Sequence, residues 1–217
     1  MYYIPYSMYA LGMASRDGRS SDLKGTARER LLDAALDELR ARGYDGASLQ
    51  SIARRAGLTK GAIYWSFRDK HDVFRALVES RLDGPARALM RITETAPPDG
   101  TTGDLVSKGI AQLVRERPEL VLLAHEQWAL AVRDPTTRPA YLARQALLRE
   151  ALAKTLQARH EMTGTPLSYP AERLATAVLA LANGLAAEAL VDPEAVPDEL
   201  LGDMLALLYD GLAARAT

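Results

Sequence analysis

Apolar residues recur at helical spacing along most of the chain, and no segment shows the strict alternation of a half-buried strand. Leu31, Leu32, Ala35, Leu36 and Leu39 follow Thr26-Ala27-Arg28-Glu29, whose spacing suits a capping box, so the pattern predicts a helix over 26–42 that stops at Gly43. A shorter helix over 48–56 opens on the Ser48 hydroxyl and sets Leu49, Ile52, Ala53 and Ala56 on one face. Gly57 suits a left-handed cap, and Thr59 can cap a third helix over 60–67. Asp69 then opens a further helix whose buried stripe is Val73, Phe74, Leu77 and Val78, with a break expected at Gly84-Pro85.

Beyond that break the pattern predicts helices over 85–95, 102–116, 118–133, 137–162, 170–191 and 197–215. They are separated by Pro97-Pro98, Pro118, Pro135, Pro166, Pro170, Pro193 and Pro197. The fold expected is all-α, with a three-helix helix-turn-helix unit over 26–83 and a helical bundle over 84–217. Residues 1–25, rich in tyrosine and methionine and then in Arg16, Arg19 and Lys24, carry no sustained period and read as a mobile tail. Two readings of that tail stand: an arm that reaches a DNA backbone, or residues added by an upstream start, with Met13 the true one.

The segment Gly57-Leu58-Thr59-Lys60-Gly61-Ala62-Ile63-Tyr64-Trp65-Ser66-Phe67 carries the most specific chemistry. A helix over 60–67 is roughly 12 Å long, close to the width of a B-DNA major groove. At about 100° per residue, Ile63 and Phe67 share one side, Gly61, Ala62 and Trp65 point away, and Lys60 and Tyr64 lie on the flanks. Small residues let a helix backbone approach base edges, while Lys60 and Tyr64 supply donors for bases or phosphates. Lys70, in the first turn of the next helix, is unfavourably placed for a cation unless it faces an anion such as phosphate.

Through G-L-T-K-G-A-I-Y-W-S-F-R-D-K, residues 26–83 resemble the DNA-binding domain of the TetR family of bacterial transcriptional regulators. The resemblance implies that Lys60, Gly61, Ala62 and Tyr64 face bases or sugar-phosphate, with Gln50 a base reader from the helix before. It implies phosphate contacts for Ser48, Thr59, Trp65, Ser66 and Lys70. Family members often carry histidine or tyrosine where this chain has Ser66, so a short hydroxyl replaces a longer donor.

Charge agrees with a molecule that meets DNA at one end. Residues 1–83 hold 14 Lys/Arg against 11 Asp/Glu, a net of +3, and residues 84–217 hold 13 against 17, a net of −4; together they make the −1 of the whole chain. A single domain of net +3 binds weakly and with strong salt dependence, so two copies are expected. The absence of cysteine excludes disulfides and thiol catalysis and suits a cytoplasmic protein. Neither a run of 18 apolar residues nor a secretory signal is present.

The last two helices carry stripes wider than one core requires: Leu174, Val178, Leu181 and Leu185, then Leu201, Met204, Leu205 and Leu208. They predict a four-helix interface in a twofold homodimer, an arrangement the TetR resemblance also implies, which would read a near-palindromic operator. In the middle of the bundle, His125, Glu126, Gln127, Trp128, Tyr141, Arg144 and Met162 interrupt apolar helices. Singly each reads as packing, with His125 a satisfied core histidine; as a cluster they are a candidate pocket for a small-molecule effector. The function expected is a ligand-released repressor that needs no cofactor or metal. A regulator without an effector and an architectural DNA-binding protein are the alternatives. An enzyme fits poorly, because His71, His125 and His160 lack a metal-ligand spacing and no nucleophile elbow or phosphate loop occurs.

Overall fold

The computed structural model describes residues 27–95, 101–164 and 169–214. The tail over 1–25, the Thr26 cap and the breakers Pro97, Pro98 and Pro166 lie outside the described residues. The elements are α1 (Ala27–Gly46), α2 (Leu49–Arg55), α3 (Lys60–Ser66), α4 (Lys70–Thr95), α5 (Thr101–Glu116), α6 (Pro118–Arg133), α7 (Arg138–Thr163), α8 (Ala171–Ala189) and α9 (Leu200–Ala214), with no strand among the described residues.

Helices α1 to α4 close around a core to which α1 contributes Leu31, Leu32 and Leu39, α2 Ile52, α3 Ile63, and α4 Val73, Phe74 and Leu77. Ion pairs lace the rim. Arg81 of α4 donates to Asp33 at 2.6 Å and to Glu29 at 3.3 Å on α1. The buried Glu38 of α1 accepts from Nε of Arg55 on α2 at 2.7 Å, and that guanidinium holds its carboxyl below the usual carboxylate range against the opposing cost of burial. Leu120, Leu123 and Leu130 of α6 belong to the same core, so the helix-turn-helix unit is packed onto the bundle. A second core joins Leu156 of α7 to Leu174, Ala175 and Val178 of α8 and Leu201 and Leu205 of α9.

Two boundaries differ from expectation. At Gly43 (φ 66°) α1 kinks where it was expected to end, and helical turns then resume to Gly46. The break expected at Gly84-Pro85 is absent: α4 runs unbroken for 26 residues. Proline there removes one backbone donor, but α4 packs on α1, α5, α6 and α7, and packing along its length outweighs one lost hydrogen bond.

Candidate nucleic-acid interface and bundle cavity

Local chemistry positions α3. Ser48 caps α2 with a reciprocal box, its Oγ accepting from the Ser51 backbone at 3.1 Å while Ser51 Oγ accepts from Ser48 N at 3.0 Å. Gly57 takes φ +64°, and Arg30 of α1 donates to the Ala56 carbonyl at 2.6 Å, tying down the turn. Thr59 Oγ1 accepts from Ala62 N at 3.3 Å and so opens α3. Ile63 and Phe67 are then buried, and Arg28 sits 5.3 Å over the Phe67 ring.

That anchoring leaves the opposite face of α3 open. Lys60 and Gly61 are exposed, Ala62 is half-buried, Tyr64 is 49 % exposed and Trp65 is 92 % exposed. An almost fully solvated indole has no role in packing the fold of the isolated chain. Lys60 Nζ lies 5.8 Å from the centroid of the Tyr64 ring, so a cation and an aromatic hydroxyl sit side by side on one flank. Gln50 and Ser48 at the start of α2 are also exposed. This surface offers donors, a positive charge and a small-residue centre, which is what a helix needs to approach base edges and phosphates.

Two expected phosphate contacts are engaged inside the chain. Lys70 Nζ donates to the Tyr44 carbonyl at 3.0 Å and to the Asp45 carbonyl at 3.4 Å, and it lies 4.3 Å over the Tyr44 ring. Its charge therefore answers the C-terminal carbonyls of α1, which explains a cation in the first turn of α4 without any phosphate. Ser66 Oγ donates to the Ala62 carbonyl one turn back, satisfying its hydroxyl within α3.

Around Tyr44 the helix-turn-helix unit meets the bundle, a junction that no sequence motif marks. Glu126 Oε1 of α6 accepts from Tyr44 N at 3.2 Å, just beyond the Gly43 kink, and a Cβ at Gly43 would stand 3.2 Å from that oxygen. Tyr44 Oη shares a 3.0 Å hydrogen bond with Nδ1 of His71, which faces Asp134 at 3.6 Å. Burial, reinforced by Asp134, Asp69 and Asp45, pushes the Tyr44 phenol up to about 12, so it stays neutral.

Above this junction a cavity of about 440 Å³ opens between α4 and α7. Phe74, Val78, Leu147 and Leu148 supply apolar wall, and Gln127 and Arg144 supply polar groups. Gln127 is buried and accepts from Nη2 of Arg144, whereas Nη1 of Arg144 is buried without a hydrogen-bond partner among the described residues. Burial holds the Arg144 guanidinium below its usual value, with Asp83 and Tyr141 acting the other way.

Of the expected pocket cluster, only Gln127 and Arg144 line this cavity. Glu126 is committed to Tyr44, and His125 Nδ1 pairs with the Val121 carbonyl at 2.9 Å, as a satisfied core histidine does. Trp128 is 54 % exposed and Met162 69 % exposed, because helical rotation turns both toward solvent; half-buried Tyr141 approaches Arg144 without lining the cavity.

The expected interface residues also divide. Leu174, Val178, Leu201 and Leu205 are buried within the chain's own second core, with Leu181 and Leu185 packed against it, so these side chains are already covered. Leu208 is exposed, Met204 is half-buried, and Leu207 beside them is 62 % exposed.

The comparisons with known proteins cover both parts of the chain. A family model described as "Bacterial regulatory proteins, tetR family" matches residues 31–77, and one described as "BetI-type transcriptional repressor, C-terminal" matches residues 106–217, more than half of the chain. The chain belongs to the TetR family of transcriptional regulators. Among TetR-family relatives, SrpR of Pseudomonas putida is 48 % identical over 54 residues, and the chain spans about a quarter of its length (25 % of each protein). TtgR of P. putida is 28 % identical over 202 residues, covering 89 % of this chain and 93 % of TtgR. A solved complex of SmeT with triclosan shares the fold, with a TM-score of 0.65 at 22 % identity over 82 % of this chain and 88 % of that one. SmeT is described as the repressor of the Stenotrophomonas maltophilia multidrug efflux pump SmeDEF. Among the described residues of this TetR-family chain, no helix is long and apolar enough to cross a membrane.

Proposed function

We propose that this TetR-family chain is a repressor that binds a near-palindromic operator as a homodimer and is released by a small molecule held in the bundle. The observation that carries the reading is α3: Ile63 and Phe67 anchor one face in the core while Lys60, Gly61, Tyr64 and Trp65 stand free on the other. Lys60, Tyr64 and exposed Gln50 reach base edges, and the backbone at Gly61 and Ala62 comes close to the groove floor. Ser48, Thr59 and Trp65 lie against the flanking phosphates. Residues 27–83 form the reading unit and the remainder the effector and dimer unit, joined by the continuous α4.

The dimer uses the outer faces of α8 and α9. Ala177, Ala180 and Gly184 are exposed on α8 and permit close helix approach, and exposed Leu207 and Leu208 with half-buried Met204 form an apolar row on α9. Repression is supported by the description of the C-terminal family model, and effector control by SmeT's complex with triclosan together with the cavity beside Arg144.

A mobility-shift titration comparing the intergenic DNA next to the protein's own gene with random DNA of equal length tests the reading. A regulator prefers its own DNA by orders of magnitude. Equal affinity for both would discard it in favour of an architectural protein.

A further inference from the structure

Most cations of the helix-turn-helix unit are already answered by the chain itself. Arg55 donates to buried Glu38 at 2.7 Å, and Arg42 faces the other oxygen of that carboxylate at 3.8 Å. Arg75 and Arg81 hold Asp72 and Asp33, each at 2.6 Å, and Arg30 and Lys70 donate to backbone carbonyls. Arg54, next to Arg55, is different: it is exposed, and its side chain has no ion pair or hydrogen bond among the described residues. A cation in the last turn of a helix can serve the carbonyls there, but those of α2 are taken. Ile52 O accepts from Ala56 N at 2.9 Å, Ala53 O from Leu58 N at 2.9 Å, Arg54 O from Gly57 N at 3.1 Å, and Ala56 O from Arg30 at 2.6 Å.

Position gives that free charge a use. Arg54 stands four residues after Gln50, on the same exposed face of α2 and about 6 Å further along its axis. Helical side chains lean toward the N-terminus of their helix, which carries the Arg54 guanidinium toward Gln50 and the Ser48 cap. No acidic residue lies on α2 or in the turn over 56–59, so no carboxylate of that segment opposes an anion there. Other exposed arginines of the unit are placed otherwise: Arg28 lies over the Phe67 ring, Arg68 faces Asp72, and Arg40 shares its face of α1 with exposed Asp37, which repels phosphate. We propose that Arg54 is a further DNA contact of this chain, its guanidinium donating to a phosphate beside the base that Gln50 meets. The inference rests on the DNA-binding reading above and adds a residue to it. Such a contact fixes α2 on the backbone through a charge-assisted hydrogen bond and carries no sequence information itself.

Fluorescence anisotropy of the full-length protein tests the inference, on labelled intergenic DNA from beside its own gene and on random DNA of equal length, between about 0.1 and 0.3 M potassium chloride. Each phosphate contact contributes about 0.9 to the slope of log affinity against log salt, so in a dimer Arg54→Gln is expected to make the slope shallower by about 1.8 on both DNAs. Its affinity deficit against wild type then shrinks about sevenfold across that range. Arg54→Lys is expected to restore the slope and Arg40→Gln to keep it, with the melting temperature of all three variants unchanged. An unchanged slope for Arg54→Gln, an equal change for Arg40→Gln, a slope that Arg54→Lys fails to restore, or a loss confined to the protein's own DNA would each overturn it, the last by making Arg54 a base reader. Should Arg54→Gln fold poorly, Arg54→Ala, with the better helix former, supplies the same slope. The wild type's preference for its own DNA reads the regulator proposal separately. No preference beside a shallower Arg54→Gln slope would sink that proposal and leave this contact standing, and a clear preference beside an unchanged slope would sink the contact alone.

Discussion

At the scale of single residues, roles in this chain follow from what each side chain touches as well as from its type. Lys60 and Lys70 are both lysines at the start of a helix after a turn, yet Lys60 is exposed beside Tyr64 and Lys70 is turned onto the Tyr44 and Asp45 carbonyls. In the DNA-binding reading, Lys60→Ala costs roughly 1 to 3 kcal/mol of operator affinity if the amine reads guanine, and the loss is confined to sites that carry that base. A uniform loss on every sequence, with a shallower salt slope, would assign Lys60 to phosphate. Asp72 gives a pH test. Arg75 and the Arg68 backbone, the two largest causes, hold its carboxyl at about 2 against an ordinary value of 3.8. A depressed folded-state value contributes stability that is full above about pH 4 and is lost as pH falls toward 2. Urea titrations between pH 2 and 6 are therefore expected to show Asp72→Asn less stable than wild type near pH 6 and equal to it near pH 2. A difference that persists at pH 2 would mean the carboxylate charge is not its source.

Among elements, the short helices were legible because their punctuation is local. Ser48, Gly57 and Thr59 act within three or four residues of themselves, and the structure has them as the sequence predicts: a cap, a left-handed turn and a cap. The long helix α4 was not legible, because Gly84-Pro85 is a local signal to stop that four packed neighbours override. Gly84 itself is exposed and helical, and leaving its chain neighbours aside nothing stands within 4 Å of the place a Cβ would occupy. The next residue is Pro85, whose ring crowds the Cβ of a helical residue before it, so Gly84→Ala is expected to lower stability in chemical denaturation despite the roughly 0.5 to 1 kcal/mol of backbone entropy alanine saves. A gain in stability would show that the helix relieves that crowding. The Gly43 kink needs its glycine for a different reason. Positive φ strains any side chain here, and a Cβ would press on Glu126 Oε1 at 3.2 Å, so Gly43→Ala is expected to lower the melting temperature.

Over the whole molecule, the helix-turn-helix unit and the bundle share one core through Leu120, Leu123 and Leu130 of α6, and Glu126 ties α6 to the end of α1. In the effector proposal, a ligand that displaces α6 or α4 acts on α3 through these packed contacts. The dimer proposal is tested by Leu207→Asp with Leu208→Asp. Sedimentation is expected to show a monomer with unchanged helical content and operator affinity reduced by orders of magnitude, because each half then binds alone. A dimer that survives both changes would move the interface off α9. Periodicity and capping in the sequence were enough to determine an all-α chain, the turn before α3 and the face of α3 that stays out of the core, since helical phase is a property of neighbouring residues. Only the tertiary structure decided which apolar stripes of α8 and α9 the chain covers itself, and that Arg144 rather than Trp128 meets the cavity. Burial depends on which helices come to lie side by side, and residues far apart in sequence carry no shared period that would announce it.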